Sequence, residues 1–136
     1  MVSPIRIKRE RTKGWRVEDH VTSPLGAKYV GRPTLYGNPF QVARVGKVWI
    51  VYVDAAPGVA GRTVAIVSDE RKARQIAVDN FRASLRTPGG SEQAEFFAHK
   101  LRGWDLMCWC PLPTDGEPDH CHAAVLLEIA NEEHTT

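Results

Sequence analysis

Three cysteines and the histidines beside them supply the most reactive chemistry in the sequence: Cys108-Trp109-Cys110, and later His120-Cys121-His122. Three thiolates and one imidazole make a ligand set for tetrahedral zinc, which tolerates varied bond angles because it has no d-electron preference. Cys108, Cys110, Cys121 and His122 are therefore the expected metal ligands, with zinc the implied cofactor and His120 the alternative fourth ligand. On a strand, positions 108 and 110 point to one side and Trp109 to the other, so the two thiols form a ready pair. Two features weigh against this assignment. The C-x-C spacing is less typical of zinc than C-x2-C, and Cys121 and His122 would project about 100° apart if both were helical. A second use of the same groups is catalysis. Cys121 at the first turn of a helix would have its thiolate favoured by the unpaired N–H groups there, with His122 or His120 as its base. Asp115, Glu117 and Asp119 are the acids near enough in sequence to orient that base. The third use is packing, in which the thiols are small buried hydrophobes. The residue types leave all three uses open.

A second patch is the stretch Gly31-Arg32-Pro33-Thr34 and Gly37-Asn38-Pro39-Phe40. The glycines allow close approach of a ligand to backbone, Arg32 suits a phosphate or carboxylate, and the Asn38 amide can donate and accept at once. The stretch is not a phosphate-binding loop of the Gly-Lys-Ser/Thr type, and a purely structural turn accounts for it equally well. Near the N-terminus, Arg9 and the run Lys13-Gly14-Trp15-Arg16 place cations beside an aromatic ring, as a contact to single-stranded nucleic acid requires. Anchoring the arm to the core is the commoner use of a residue such as Trp15. His20, His99 and His134 have no partner suggested by spacing and are expected at the surface.

The elements that must position these groups follow from periodicity and punctuation. Ile5-Arg6-Ile7-Lys8-Arg9 alternates as a strand with the isoleucines inward and Arg6 and Lys8 on the other face. A second extended piece begins at Tyr29-Val30. Residues 42–67 are rich in β-branched side chains and read as a β-hairpin or meander, with its loop at 54–62 around Pro57, Gly58 and Gly61. Ser68 is expected to cap a helix running to about Arg86, with Ala73, Ala77, Phe81 and Leu85 as its core stripe. Ser91 is expected to cap a second helix carrying Ala94, Phe97, Ala98 and Leu101, closed by Gly103. Asp105–Cys110 reads as a strand buried on both faces, and residues 111–120 as a variable loop. A final helix from about Cys121 to Glu132 is apolar nearly all round and must pack deeply. The fold class is α/β: one domain over 1–136, with a small mixed sheet, a β-hairpin insertion and about three flanking helices. The strand–loop–helix order at the end returns Cys121 to the carboxyl end of its strand, where open α/β sheets place ligands.

Bulk composition narrows the function classes. With 136 residues, 43% hydrophobic and 25% charged, the chain matches an ordinary globular domain and no disordered or fibrous class. No apolar run approaches the roughly 18 residues of a membrane span, so no membrane partner is expected. Three cysteines cannot all pair with one another, and reduced thiols imply a reducing compartment, the cytoplasm. Six of the eighteen basic residues (Arg6, Lys8, Arg9, Arg11, Lys13 and Arg16) fall in the first sixteen positions, beside the single acid Glu10. Such clustering favours a polyanionic partner, because lysine and arginine displace counterions from phosphates.

Arg9-x-Arg11-x-Lys13-Gly14-Trp15, then Tyr29-Val30-Gly31-Arg32-Pro33-Thr34-x-x-Gly37-Asn38-Pro39-Phe40, then Asp105-Leu106-x-Cys108-Trp109-Cys110-Pro111-Leu112 with Cys121-His122-Ala123, together resemble domain-of-unknown-function family 4326. The resemblance implies a small protein of bacteriophages and actinobacteria, and, if phage-encoded, a place in the host cytoplasm. It also implies that 31–40 and the Cys/His cluster belong to one site, while 42–67 and 111–120 vary. The expected function is binding or acting on a nucleotide or nucleic acid, through Arg9, Lys13, Trp15, Arg32 and Asn38 together with the Cys/His cluster. Whether the protein is an enzyme is left open. The alternative is a regulatory module that binds a host protein through the exposed hairpin, with structural cysteines.

Overall fold

The computed structural model describes residues 4–31, 34, 36–56, 59–110, 112–113 and 119–132. Two three-stranded sheets and three α-helices make up the α/β fold. The first sheet is parallel. Its central strand β6 (Asp105–Cys108) lies between β1 (Arg6–Lys8) and β2 (Ala27–Tyr29), in register at Ile7 with Met107 and Lys28 with Leu106. All three strands point the same way, so Arg9, Val30 and Trp109 leave the sheet at one end. There Arg9 N donates to the Cys108 carbonyl at 2.7 Å and Val30 N to the Met107 carbonyl at 2.9 Å.

The expected hairpin region is a separate antiparallel meander: β3 (Phe40–Val45), β4 (Val48–Ala56) and β5 (Val59–Val67). Gly46, at φ +61°, makes the two-residue turn between β3 and β4, a conformation glycine adopts without the Cβ penalty. The loop expected over 54–62 is mostly strand. Ala60 pairs with Asp54 and Val59 with Ala56, with register irregularities absorbing the glycine-rich composition.

Helix α1 (Glu70–Arg86) begins one residue later than expected, because Asp69 and not Ser68 caps it; the Asp69 carboxylate accepts from Lys72 N at 2.9 Å. Its stripe of Ala73, Ala77, Phe81 and Leu85 is buried as the spacing requires, joined by Val78. In α2 (Ser91–Leu101) the N-cap is Gly90, and Ser91 is the first helical residue, its hydroxyl donating to the Pro88 carbonyl at 3.0 Å. Helix α3 (His122–Asn131) is the deeply packed helix its apolar composition demands, with Ala123, Val125, Leu126, Ile129 and Ala130 all buried. These residues, Leu106, Val30 and the inner faces of α1 and α2 form the main core. A smaller cluster of Val51, Ala73 and Ala77 joins α1 to the meander. Helix α1 thus contributes to both clusters, packing on the meander and on α2 and α3.

One residue the periodicity passed over holds the parallel sheet together. Asp105 is fully buried, and its carboxylate accepts from Ile5 N at 2.9 Å, Thr22 N at 2.6 Å, Ser23 N at 3.0 Å and the Thr22 hydroxyl at 3.1 Å. Burial alone would raise its pKa, but the backbone donors win and hold it below the ordinary carboxylate value.

Candidate metal centre and ligand cavity

Cys108 closes β6, and the chain bends through Trp109 and Cys110 instead of continuing as strand. Side chains two apart on a regular strand stand about 7 Å apart. The bend draws the Cys108 and Cys110 sulfurs to 3.7 Å. Cys121 is the N-cap of α3 in an extended conformation (φ −115°, ψ 138°), so the angular separation expected between helical Cys121 and His122 does not arise. Its sulfur turns back to the strand, and the ligand atoms of Cys108, Cys110 and Cys121 lie within 4.8 Å of one another. Three close, unoxidised cysteines of this kind could hold a metal ion.

The segment carrying Cys121 is pinned from the opposite end of the chain. Arg6, whose side chain is 4% exposed, forks onto Asp119 (Nε to Oδ2 2.5 Å, Nη2 to Oδ1 2.9 Å) and donates Nη1 to the Cys110 carbonyl at 2.9 Å. The expectation that Arg6 faces outward with both isoleucines inside is therefore corrected: Ile7 is buried, Ile5 is 40% exposed, and Arg6 is withdrawn from the basic patch. The acid Asp119, read as an orienter for a catalytic histidine, is engaged by this guanidinium. No local pattern identifies the pair, since its members are 113 positions apart.

Charge in the cluster is unevenly shared. The thiol of Cys110, and then that of Cys121, donates to Cys108, which outweighs burial and holds the Cys108 pKa far below the ordinary thiol range. Cys110 and Cys121 are raised, chiefly because each is the hydrogen-bonding partner of the Cys108 thiolate, with burial and the neighbouring negative charge adding to this. The cluster thus accommodates one thiolate easily, and a cation is what would allow the others to ionise. Cys121 is 1% exposed, which with its raised pKa makes it poorly suited to attack a substrate.

His122 Nε2 lies 2.7 Å from the Val30 carbonyl, tying the first turn of α3 to the end of β2, and its Nδ1 lies 3.9 Å from the Cys121 sulfur. His120 differs. Among the described residues, its Nε2 is the buried side-chain nitrogen or oxygen that has no hydrogen-bond partner.

A cavity of about 390 Å³ opens at this end of the sheet. Its lining includes Cys108, Trp109, Cys110, His120 and His122, together with Gly31 and Asn38 and with Trp49, Glu70 and Arg74 of the meander and α1. The glycine-bearing loop and the cysteine strand therefore border one space. Gly31 allows this approach, because a Cβ there would collide with the Tyr29 hydroxyl. Tyr29 and Trp109 line the cavity and are backed by cations: the Arg9 guanidinium lies 5.1 Å from the Tyr29 ring and 5.0 Å from Trp109, and Arg11 4.8 Å from Trp109.

The other expected contacts are placed differently. Asn38 borders the cavity, but its amide is used internally: Nδ2 donates to the Ala77 carbonyl at 3.3 Å and Oδ1 accepts from Phe40 N at 2.9 Å. Lys13 and Trp15 are not among the cavity-lining residues. Trp15 stacks on His20 with ring centroids 5.2 Å apart, giving that histidine a partner the spacing did not suggest. Arg32, Asp115, Glu117 and His134 lie outside the described residues.

No helix among the described residues is long and apolar enough to cross a membrane. No curated protein and no solved structure matches the chain. Residues 7–132 match the model of a domain of unknown function, DUF4326, and the chain belongs to that family.

Proposed function

We propose that the protein is a zinc-binding protein that receives a nucleotide or the exposed bases of a nucleic acid in the cavity beside its cysteine cluster. The observation that carries the reading is the space of about 390 Å³ lined both by cysteine and histidine and by the arginine-backed rings of Tyr29 and Trp109. That volume falls within the range of small-ligand sites. Phe40 and Trp49 add two further rings, and flat aromatic faces suit stacking of any base. Arg9 and Arg11 supply positive charge for phosphate without needing sequence specificity. Zinc is the metal that a thiolate-rich set with imidazole beside it selects. The thiols must remain reduced to hold it, which fits the cytoplasm.

The test is fluorescence anisotropy of the zinc-loaded protein with a labelled mononucleotide and a short single strand, each at two salt concentrations. Binding that weakens with salt is expected, with Arg9→Ala lowering affinity about tenfold, the effect of losing one stacked cation worth roughly 1–2 kcal/mol. No binding to either probe, or binding indifferent to both salt and Arg9→Ala, overturns the reading. A second reading has its own observation. Val45, Val59 and Ile66 expose apolar surface on the meander, Ile66 at 66%, as a protein-binding module would. Salt-insensitive capture of one host protein, abolished by Ile66→Asp, would favour it.

A further inference from the structure

We infer that the fourth ligand of the metal is Nε2 of His120 and not His122, giving a closed Cys108, Cys110, Cys121, His120 set. The inference rests on the metal-binding reading above and assigns the coordination that reading leaves open.

Four observations carry it. Zinc–sulfur bonds of 2.3 Å at tetrahedral angles put ligand sulfurs about 3.8 Å apart. Cys108 and Cys110 are already at 3.7 Å, and Cys121 completes a triangle within 4.8 Å, so the cluster needs only small side-chain adjustments to surround one ion. Second, a buried nitrogen without a partner costs about 1–3 kcal/mol and calls for an unseen water or ion as its explanation. His120 Nε2 is such a nitrogen, the residue lines the same cavity as Cys108 and Cys110, and it is adjacent in sequence to Cys121. Third, His122 already has structural work. Its Nε2 meets the Val30 carbonyl at 2.7 Å, and its ring packs edge-on against Phe81 with centroids 6.0 Å apart. This makes His122 the link between the first turn of α3 and the end of β2. Fourth, three thiolates around a divalent cation leave one net negative charge, and the Arg6 guanidinium, held on the Cys110 carbonyl and Asp119, stands beside the cluster to offset it.

The assignment has a functional consequence. A zinc site with four protein ligands has no open position for substrate or water. The metal then fixes the bend at 108–110 against the start of α3 and shapes the cavity without reacting with its occupant.

Cobalt(II) substitution of the full chain tests the assignment by absorption spectroscopy. The wild-type protein is expected to show intense tetrahedral d–d bands with thiolate charge transfer. His120→Cys should keep tetrahedral cobalt and raise the charge-transfer intensity by about a third, since one thiolate joins three. His120→Ala should weaken cobalt binding ten- to a hundredfold and alter the d–d bands, whereas His122→Asn should leave the spectrum as in wild type. Normal wild-type spectra unchanged in both His120 variants but altered by His122→Asn would overturn the assignment and leave the metal site standing. Absence of tetrahedral cobalt in the wild-type protein would overturn the metal reading and this inference with it.

Discussion

The antiparallel meander and the parallel sheet each draw on three strands, but they are assembled in opposite ways. The meander pairs strands that follow one another along the chain, Phe40 with Val53 and Ile50 with Ile66. The parallel sheet joins residues as distant as Ile5 and Asp105 at its amino end and Arg6 and Asp119 beside the cysteine cluster, and does so through buried charge. Local pairing needs little from the rest of the chain and leaves side chains such as Val45 and Ile66 exposed. Long-range pairing has a larger loop-closure entropy to overcome, and here charge-assisted hydrogen bonds and apolar burial offset it. The cysteines and their histidines sit at the second kind of structure, where several remote segments meet, while the meander lends Phe40 and Trp49 to the cavity lining.

Metal removal should separate the two regions most sharply. Saturating zinc at about a thousand times its dissociation constant stabilises the folded state by roughly 4 kcal/mol. Hydrogen exchange with and without chelator should locate that gain at residues 105–110 and 119–123 while β3–β5 exchange unchanged. A uniform change over both sheets would show that the two regions are not energetically distinct.

Asp105→Asn should cost somewhat less, about 3 kcal/mol, because an amide places its own donors against the backbone N–H groups of Ile5, Thr22 and Ser23. The effect should depend on pH. A carboxylate with a depressed folded-state pKa contributes fully above its unfolded value near 4, and that contribution is lost as pH falls through the lower folded value. Urea unfolding from pH 7 down to pH 3 should therefore show the wild-type advantage over Asp105→Asn shrinking towards the acid end; a constant difference would count against the carboxylate as the anchor. At the small end of the scale, Ile66→Thr on the exposed meander face should change stability by no more than about 0.5 kcal/mol. A loss of 2 kcal/mol measured by the same unfolding experiment would mean that this face is covered.

The helices were the most legible part of the sequence. The four-residue recurrence of Ala73, Ala77, Phe81 and Leu85 and the apolar run in α3 specify buried faces whatever they pack against. The caps were less so, because Ser68 and Asp69 are both good N-caps and only the helix phase selects Asp69. Arg6 was misread because alternation assumes a solvated outer face, and the 119–121 segment covers that side of β1. Asp105 was overlooked because an apolar run gives no hint of a charge whose partners are backbone N–H groups from elsewhere.

What the amino-acid sequence determined unaided was the supply: three thiols and neighbouring imidazoles at a strand-to-helix passage, a glycine-bearing loop, and arginines beside aromatics. Tertiary structure decided which of these meet. It bent the chain after Cys108, turned Cys121 back as an N-cap, committed His122 to Val30, left His120 Nε2 buried without a partner, and used up the Asn38 amide within the fold. The physical reason is that periodicity records the direction of a side chain relative to its own element. The partners of a buried polar group are set by how separate elements pack, and no local pattern encodes that.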